Sequence, residues 1–127
     1  MSATKILKLM KEKEVDYVDL RFTDPRGKLQ HLTMDGKIVD EEMLNKGVYF
    51  DGSSIAGWKA INESDMILKP DLERQVIDPF TSHNTLVLFC DVLDAVKKDP
   101  YERDPRSIAK KAEAYLKKTG IGDKAYF

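Results

Sequence analysis

Val15-Asp16-Tyr17-Val18-Asp19-Leu20-Arg21-Phe22-Thr23, followed at once by Asp24-Pro25-Arg26-Gly27, is the stretch that decides the fold. Val18, Leu20 and Phe22 alternate with Asp19, Arg21 and Thr23, the period of two that marks a strand with one apolar and one wet face. The next four residues put Asp first, Pro second and Gly fourth, which is the chemistry of a type I turn. The chain therefore reverses into a second strand over Lys28 to Met34, and the pair forms a hairpin.

Toward the N-terminus, Ile6, Leu7, Leu9 and Met10 fall at helical spacing among lysines. They predict a short amphipathic helix with Ser2 or Thr4 as N-cap, ending near Glu14. On the other side of the hairpin, Asp40-Glu41-Glu42 and Lys46-Gly47 place acids at the start and a glycine at the end of a second short helix. That helix delivers the chain to an apolar Val48-Tyr49-Phe50. Further strands are expected at Met66 to Leu68, Gln75 to Ile77 and Thr85 to Leu93, the last apolar enough to be central. Asp104 as N-cap, Pro105 at the first helical position and Gly120 past the end frame a third helix, with Ile108, Ala112, Tyr115 and Leu116 on one face. Strands mixed with a few helices, without regular alternation, give an α+β domain. Lys124-Ala125-Tyr126-Phe127 reads as the start of a buried strand cut short, as in a truncated chain.

The chain has 127 residues, enough for one domain around one core. Its 21 basic side chains face 22 acidic ones, for a net charge of -1, and 42% of residues are hydrophobic. A polyanion binder would carry a basic excess or stripe, so the balance speaks against nucleic acid as a partner. No apolar run approaches the roughly 18 to 20 residues of a bilayer span, and the N-terminus lacks the apolar core of a signal peptide. A cytoplasmic protein without a membrane partner is expected. Cys90, the only cysteine, lies in the apolar run Thr85 to Cys90 and should be a buried, inert thiol.

Chemistry is concentrated in Phe50-Asp51-Gly52-Ser53-Ser54-Ile55-Ala56-Gly57-Trp58, which joins a carboxylate, two hydroxyls, two glycines and the only tryptophan. Gly52 and Gly57 have the spacing of a phosphate-binding loop, but Trp58 intervenes before Lys59 and no Ser or Thr follows that lysine to hold magnesium. A nucleophile elbow would need glycine where Ala56 stands and a histidine base. His31 and His83 are the only histidines and stand apart in sequence. Nor is there a His/Cys cluster at metal-ligand spacing, so no metal site is expected within this chain. Two readings of the loop remain. Asp51, ionised near neutral pH and flanked by hydroxyls, suits a small cation. Equally, Asp-Gly-Ser-Ser makes an ordinary turn in which Asp51 bonds its own backbone and Trp58 packs on the core. Asn62-Glu63-Ser64-Asp65 has a similar bland reading as a loop or helix cap.

Phe50-Asp51-Gly52-Ser53-Ser54, then, after eight residues, Glu63-Ser64-Asp65-Met66-Ile67-Leu68, resembles the N-terminal signature of glutamine synthetases of the bacterial type. The resemblance extends through Val18 to Asp24 with Gly27-Lys28, through Val76-Ile77-Asp78-Pro79-Phe80, and through Arg103-Asp104-Pro105-Arg106-Ser107-Ile108-Ala109. It implies a β-grasp-like domain over residues 1–127, a small mixed sheet with two or three helices, in which 103–127 begins the connection to a catalytic domain. It also implies a ring-shaped homo-oligomer, a dodecamer, with each active site between this domain and the catalytic domain of the neighbouring subunit.

In that family ATP, with magnesium or manganese, phosphorylates the glutamate side chain, and ammonia attacks the γ-glutamyl phosphate to give glutamine. By resemblance, Asp51 attracts ammonium first and takes its proton second, and Ser54 hydrogen-bonds the ammonium or supports the loop. Gly52, Ser53, Trp58 and Asp65 complete the substrate-binding loop, with Trp58 packing against the neighbour and Asp65 positioning the loop or reaching into the neighbour's site. The ATP and metal sites lie outside this chain, which alone should hydrolyse no ATP. The rival expectation is a self-standing β-grasp interaction module that binds a partner protein through the same loop without chemistry. The cut-short strand at Phe127 speaks against that rival.

Overall fold

The computed structural model describes residues 1–58 and 64–126. Strand β1 (Tyr17–Thr23) runs antiparallel to β2 (Leu29–Asp35), with Thr23 opposite Leu29 and Tyr17 opposite Asp35. The Asp24 carboxylate closes the turn between them by accepting from the backbone N–H groups of Arg26 and Lys28, both at 2.9 Å, and from the Gln30 amide at 3.0 Å. Gly27 completes it at φ +81°, a left-handed conformation that glycine adopts without a Cβ penalty. The hairpin thus has the turn chemistry that its sequence predicts.

Further elements build one sheet in the order β2-β1-β5-β4-β3, where β3 is Val48–Asp51, β4 is Asp65–Ile77 and β5 is Thr85–Asp94. β5 is central, as its apolar run predicts, and lies parallel to β1; the other neighbours are antiparallel. The expected strands Met66 to Leu68 and Gln75 to Ile77 are one strand of 13 residues whose register against β5 shifts between Pro70 and Gln75. Pro70 cannot donate to a ladder, which is why the sequence looks interrupted there, and the long partner strand carries β4 across the irregularity.

One face of the sheet is the core. Val18, Leu20 and Phe22 of β1 join Leu86, Leu88, Cys90 and Val92 of β5 and Met66 and Leu68 of β4. Helix α1 (Ala3–Glu12) covers them with Ile6 and Met10, and helix α2 (Glu41–Lys46) with Leu44. Each such fully buried aliphatic side chain contributes about 1.5–3 kcal/mol. Helix α1 starts where Ser2 accepts the Lys5 N–H, and it stops at Glu12, ahead of Glu14, which sits at φ 48° and cannot continue a right-handed helix. Asp40 caps α2 by accepting the Met43 N–H at 2.8 Å. Cys90 is buried, and burial pushes its thiol pKa up, as befits an inert core sulfur.

The opposite face mixes polar groups with apolar ones such as the buried Ile67 and Val87, and it is not uniformly wet. Asp19, expected in solvent, is only 4% exposed. It accepts from Thr33 Oγ1 at 2.7 Å and Arg21 Nε at 2.7 Å, and His31 Nδ1 lies 2.8 Å away. Burial pushes its carboxyl up, but the bonds from Thr33, Arg21 and His31 outweigh this and hold it below the usual carboxylate range.

Helix α3 (Pro105–Thr119) has the expected frame, with Asp104 as N-cap and Gly120 left-handed at its end. Its predicted apolar face finds no core: Ile108 is 53% and Tyr115 69% exposed. Ion pairs hold it to the sheet instead, from Arg106 to Asp71 and Asp91 and from Lys110 to Asp91. Lys124 to Tyr126 form no strand, and Tyr126 is exposed; Phe127 lies outside the described residues. Among the described residues no helix is long and apolar enough to cross a membrane.

Candidate functional site

The Asp51 loop begins where β3 runs out against β4. Antiparallel pairing places Asp51 directly opposite Asp65, so two exposed carboxylates from separate strands come side by side at the end of one ladder. Like charges in that position repel, and a small cation between them would relieve the repulsion.

From Asp51 the backbone enters a 3-10 turn over Gly52–Ser54. Asp51 Oδ1 accepts from the Ser53 N–H at 2.9 Å and from Ser53 Oγ at 2.6 Å. The Ser53 hydroxyl, then the Ser53 backbone N–H and the Ser64 hydroxyl, hold the Asp51 carboxyl below the usual carboxylate range. Both halves of the bland reading are therefore present in the structure: Asp51 does bond its own turn, and Trp58 does pack on the core. Neither removes the charge. A carboxylate offers about four acceptor positions, so these donors leave room for an incoming cation.

Gly52 is buried because the turn lies flat on β4. Its N–H donates to the Ser64 carbonyl at 2.7 Å, and an added Cβ would run into Met66 Sδ. Glycine is required there by close approach rather than by a left-handed φ. Ser53 is spent on Asp51, whereas Ser54 is exposed at the end of the turn.

Trp58, expected against a neighbouring subunit, is only 7% exposed within its own chain. Its ring stacks on Phe22 at 5.7 Å and meets Phe50 and Tyr101 edge-on at 6.2 and 5.6 Å. Offset and edge-on aromatic contacts of this kind contribute about 0.5–1.5 kcal/mol each beyond area burial. Trp58 therefore anchors the loop from beneath and leaves Ala56 and Gly57 exposed above it. Lys59, Ala60, Asn62 and Glu63 lie outside the described residues.

Two contributors escape the sequence reading of the loop. Ser64 turns its hydroxyl onto Asp51. Arg103 Nη1 donates to the Gly57 carbonyl at 3.0 Å from 46 positions away. Ser64 stands in the quoted acidic group and could have been flagged as a hydroxyl beside a carboxylate; no spacing rule links Arg103 to Gly57. Among the described residues no group of three or more His, Cys, Asp or Glu side chains could hold a metal ion. His31 is tied to Asp19, and His83 Nδ1 lies 3.8 Å from Asp16, both far in sequence from the loop.

The family model for the β-grasp domain of glutamine synthetase matches residues 14–95. The chain belongs to the glutamine synthetase β-grasp family. The expected α+β, β-grasp architecture, a mixed sheet with two or three helices, is thus borne out, with three α-helices among the described residues. The chain is 62% identical over 125 residues to a glutamine synthetase of Rhizobium meliloti (strain 1021), covering 98% of this chain and 27% of that protein. It is 54% identical over 127 residues to a glutamine synthetase of Escherichia coli (strain K12), again 27% of that protein. A solved structure of Plasmodium falciparum glutamine synthetase aligns with a TM-score of 0.87 at 25% identity, over 98% of this chain and 24% of that one. The chain spans about a quarter of the length of the curated glutamine synthetases it matches. Asp51, Gly52, Ser53, Ser54, Trp58 and Asp65 all lie inside the matched β-grasp segment, while Tyr101 and Arg103 lie beyond it.

Proposed function

We propose that this chain is the N-terminal part of a glutamine synthetase that joins ammonia to glutamate at the expense of ATP, and that its Asp51 loop supplies the ammonium-binding wall of the active site. The observation that carries the reading is the 62% identity to a named glutamine synthetase across nearly the whole chain. It favours the synthetase over a self-standing interaction module, since it spans core, hairpin and loop alike. The catalytic wall, with its ATP and its magnesium or manganese, would come from residues beyond this chain. The active site would form against the neighbouring subunit of a ring-shaped homo-oligomer, a dodecamer, in the cytoplasm. The 127 residues alone would hydrolyse no ATP.

Ammonium is the form present near neutral pH, and the attacking species must be neutral. Asp51, with its exposed carboxylate opposite Asp65, draws the cation to the loop, and the exposed Ser54 hydroxyl accepts one of its N–H groups. The attraction strengthens as a partner surface excludes water. The same hydrogen bonds that keep Asp51 ionised also make it a poorer base. Asp51 therefore binds first and accepts a proton second, with the attack itself drawing the proton off.

In the full-length enzyme, Asp51→Ala should raise the ammonium KM by about tenfold or more and lower kcat by about 10- to 100-fold, with ATP affinity spared. Steady-state kinetics with ammonium varied at saturating glutamate and ATP provide the check. Ammonium kinetics equal to the unsubstituted enzyme would remove the role given to Asp51.

A further inference from the structure

We infer that Arg103 is a positioning residue for the ammonium loop, fixing the far end of the segment that carries Asp51 and Ser54; the inference rests on the reading of that loop given above. The stretch from Pro100 to Asp104 is tied to central strand β5. The Tyr101 N–H donates to the Val92 carbonyl at 2.9 Å, the Val92 N–H donates to Asp104 Oδ2 at 3.3 Å, and Pro100 bridges Leu93. From that platform two side chains reach the loop. Tyr101 meets the Trp58 indole edge-on at 5.6 Å, and Arg103 Nη1 donates to the Gly57 carbonyl at 3.0 Å.

The near end of the loop is fixed separately, by the Gly52 N–H on the Ser64 carbonyl at 2.7 Å and by Ser53 on Asp51. Ser54 stands exposed between the two attachments. At the far end Trp58 offers packing and a backbone bond within the loop, its N–H donating to the Ile55 carbonyl at 3.2 Å, while its buried Nε1 has no hydrogen-bond partner among the described residues. Gly57, at φ +88°, presents its carbonyl to the guanidinium. Arg103 thus makes the directional contact from outside the loop at that end, through a planar guanidinium whose N–H groups are held in a rigid fork. Removing it leaves Trp58 in its aromatic cluster, so the loop shifts without the domain unfolding. Small displacements of this kind are costly where a ligand must be held in register.

In the full-length enzyme, Arg103→Ala is expected to raise the ammonium KM about three- to tenfold, with the KM values for glutamate and ATP unchanged and the melting temperature kept. The KM for hydroxylamine, a nucleophile uncharged near neutral pH, should move far less than that for ammonium. Arg103→Lys, which keeps a cationic donor for the Gly57 carbonyl, should restore most of the loss. An unchanged ammonium KM in Arg103→Ala beside a raised one in Asp51→Ala overturns the positioning role and leaves the loop's function standing. A parallel rise for every substrate, with a lowered melting temperature, overturns it as well, because that pattern marks a general structural contribution. No ammonium effect in either variant overturns the reading of the loop and the inference with it.

Discussion

Asp51 and Asp24 are both aspartates at the start of a turn, both accept backbone N–H groups two residues on, and both have lowered carboxyl pKa values. Their surroundings separate them. Asp24 is buried and its hydrogen bonds are absorbed in closing the β1–β2 hairpin, whereas Asp51 is exposed at the end of a strand pair, opposite a second carboxylate. One is therefore structural and the other available to a ligand. For Asp24 the Gln30 amide and then the backbone N–H groups of Lys28 and Arg26 hold the folded pKa below the usual aspartate value. The associated stability is present above that unfolded value and is lost as pH falls through the lowered folded one. Asp24→Asn should accordingly unfold at lower urea than the parent near neutral pH, and should show a smaller further loss on acidification from about pH 5 to about pH 2. A parent and variant that lose stability in parallel over that range would show that Asp24 is not linked to folding.

Among the elements, α3 differs from α1 and α2 in what holds it. Ile6, Met10 and Leu44 bury apolar side chains in the core, while Ser107 is the one buried residue of α3. Its attachment rests on Asp104, which is fully buried as N-cap, and on the partly exposed ion pairs of Arg106 and Lys110. Exposed and half-exposed ion pairs contribute about 0.2–1 kcal/mol and are screened by salt. In the 127-residue chain, raising salt from about 0.05 to about 0.5 M should therefore speed amide hydrogen exchange in α3 by about two- to fivefold while leaving β1 and β5 unchanged. Exchange in α3 indifferent to salt would mean that packing, not charge, docks the helix. The hairpin and the helix frames are legible in sequence because a cap or a turn needs only neighbours within four or five positions. The joining of two expected strands into β4 is not, since it depends on β5 running alongside.

Across the whole molecule, the sheet buries one face under α1 and α2 and leaves the outward side of α3 with Ile108 and Tyr115 exposed, together with Ile121 and Tyr126 beyond it. Several exposed large apolar side chains on a small domain favour association. The 127-residue chain is expected to self-associate at micromolar concentrations in analytical ultracentrifugation, and the double substitution Ile108→Lys with Tyr115→Lys should return it toward monomer. A clean monomer in the parent chain would assign these side chains no such role.

The sequence by itself determined the hairpin, the helix frames, the central strand and the loop that carries its chemistry-bearing residues. Period-two alternation from Val18 to Thr23, the Asp-Pro-Arg-Gly turn, the capping aspartates and the apolar run ending at Cys90 act through neighbours close along the chain, and the resemblance singled out Asp51 and Asp65 before any fold was known. Only the tertiary structure decided that these two carboxylates stand opposite each other, that Trp58 faces inward on Phe22, Phe50 and Tyr101, and that Arg103 reaches Gly57. It also decided that the apolar face predicted for α3 has no core to meet. The physical reason is the same in each case. Strand register and the docking of segments far apart in sequence are set by which apolar surfaces must be buried together, and no local periodicity records that choice.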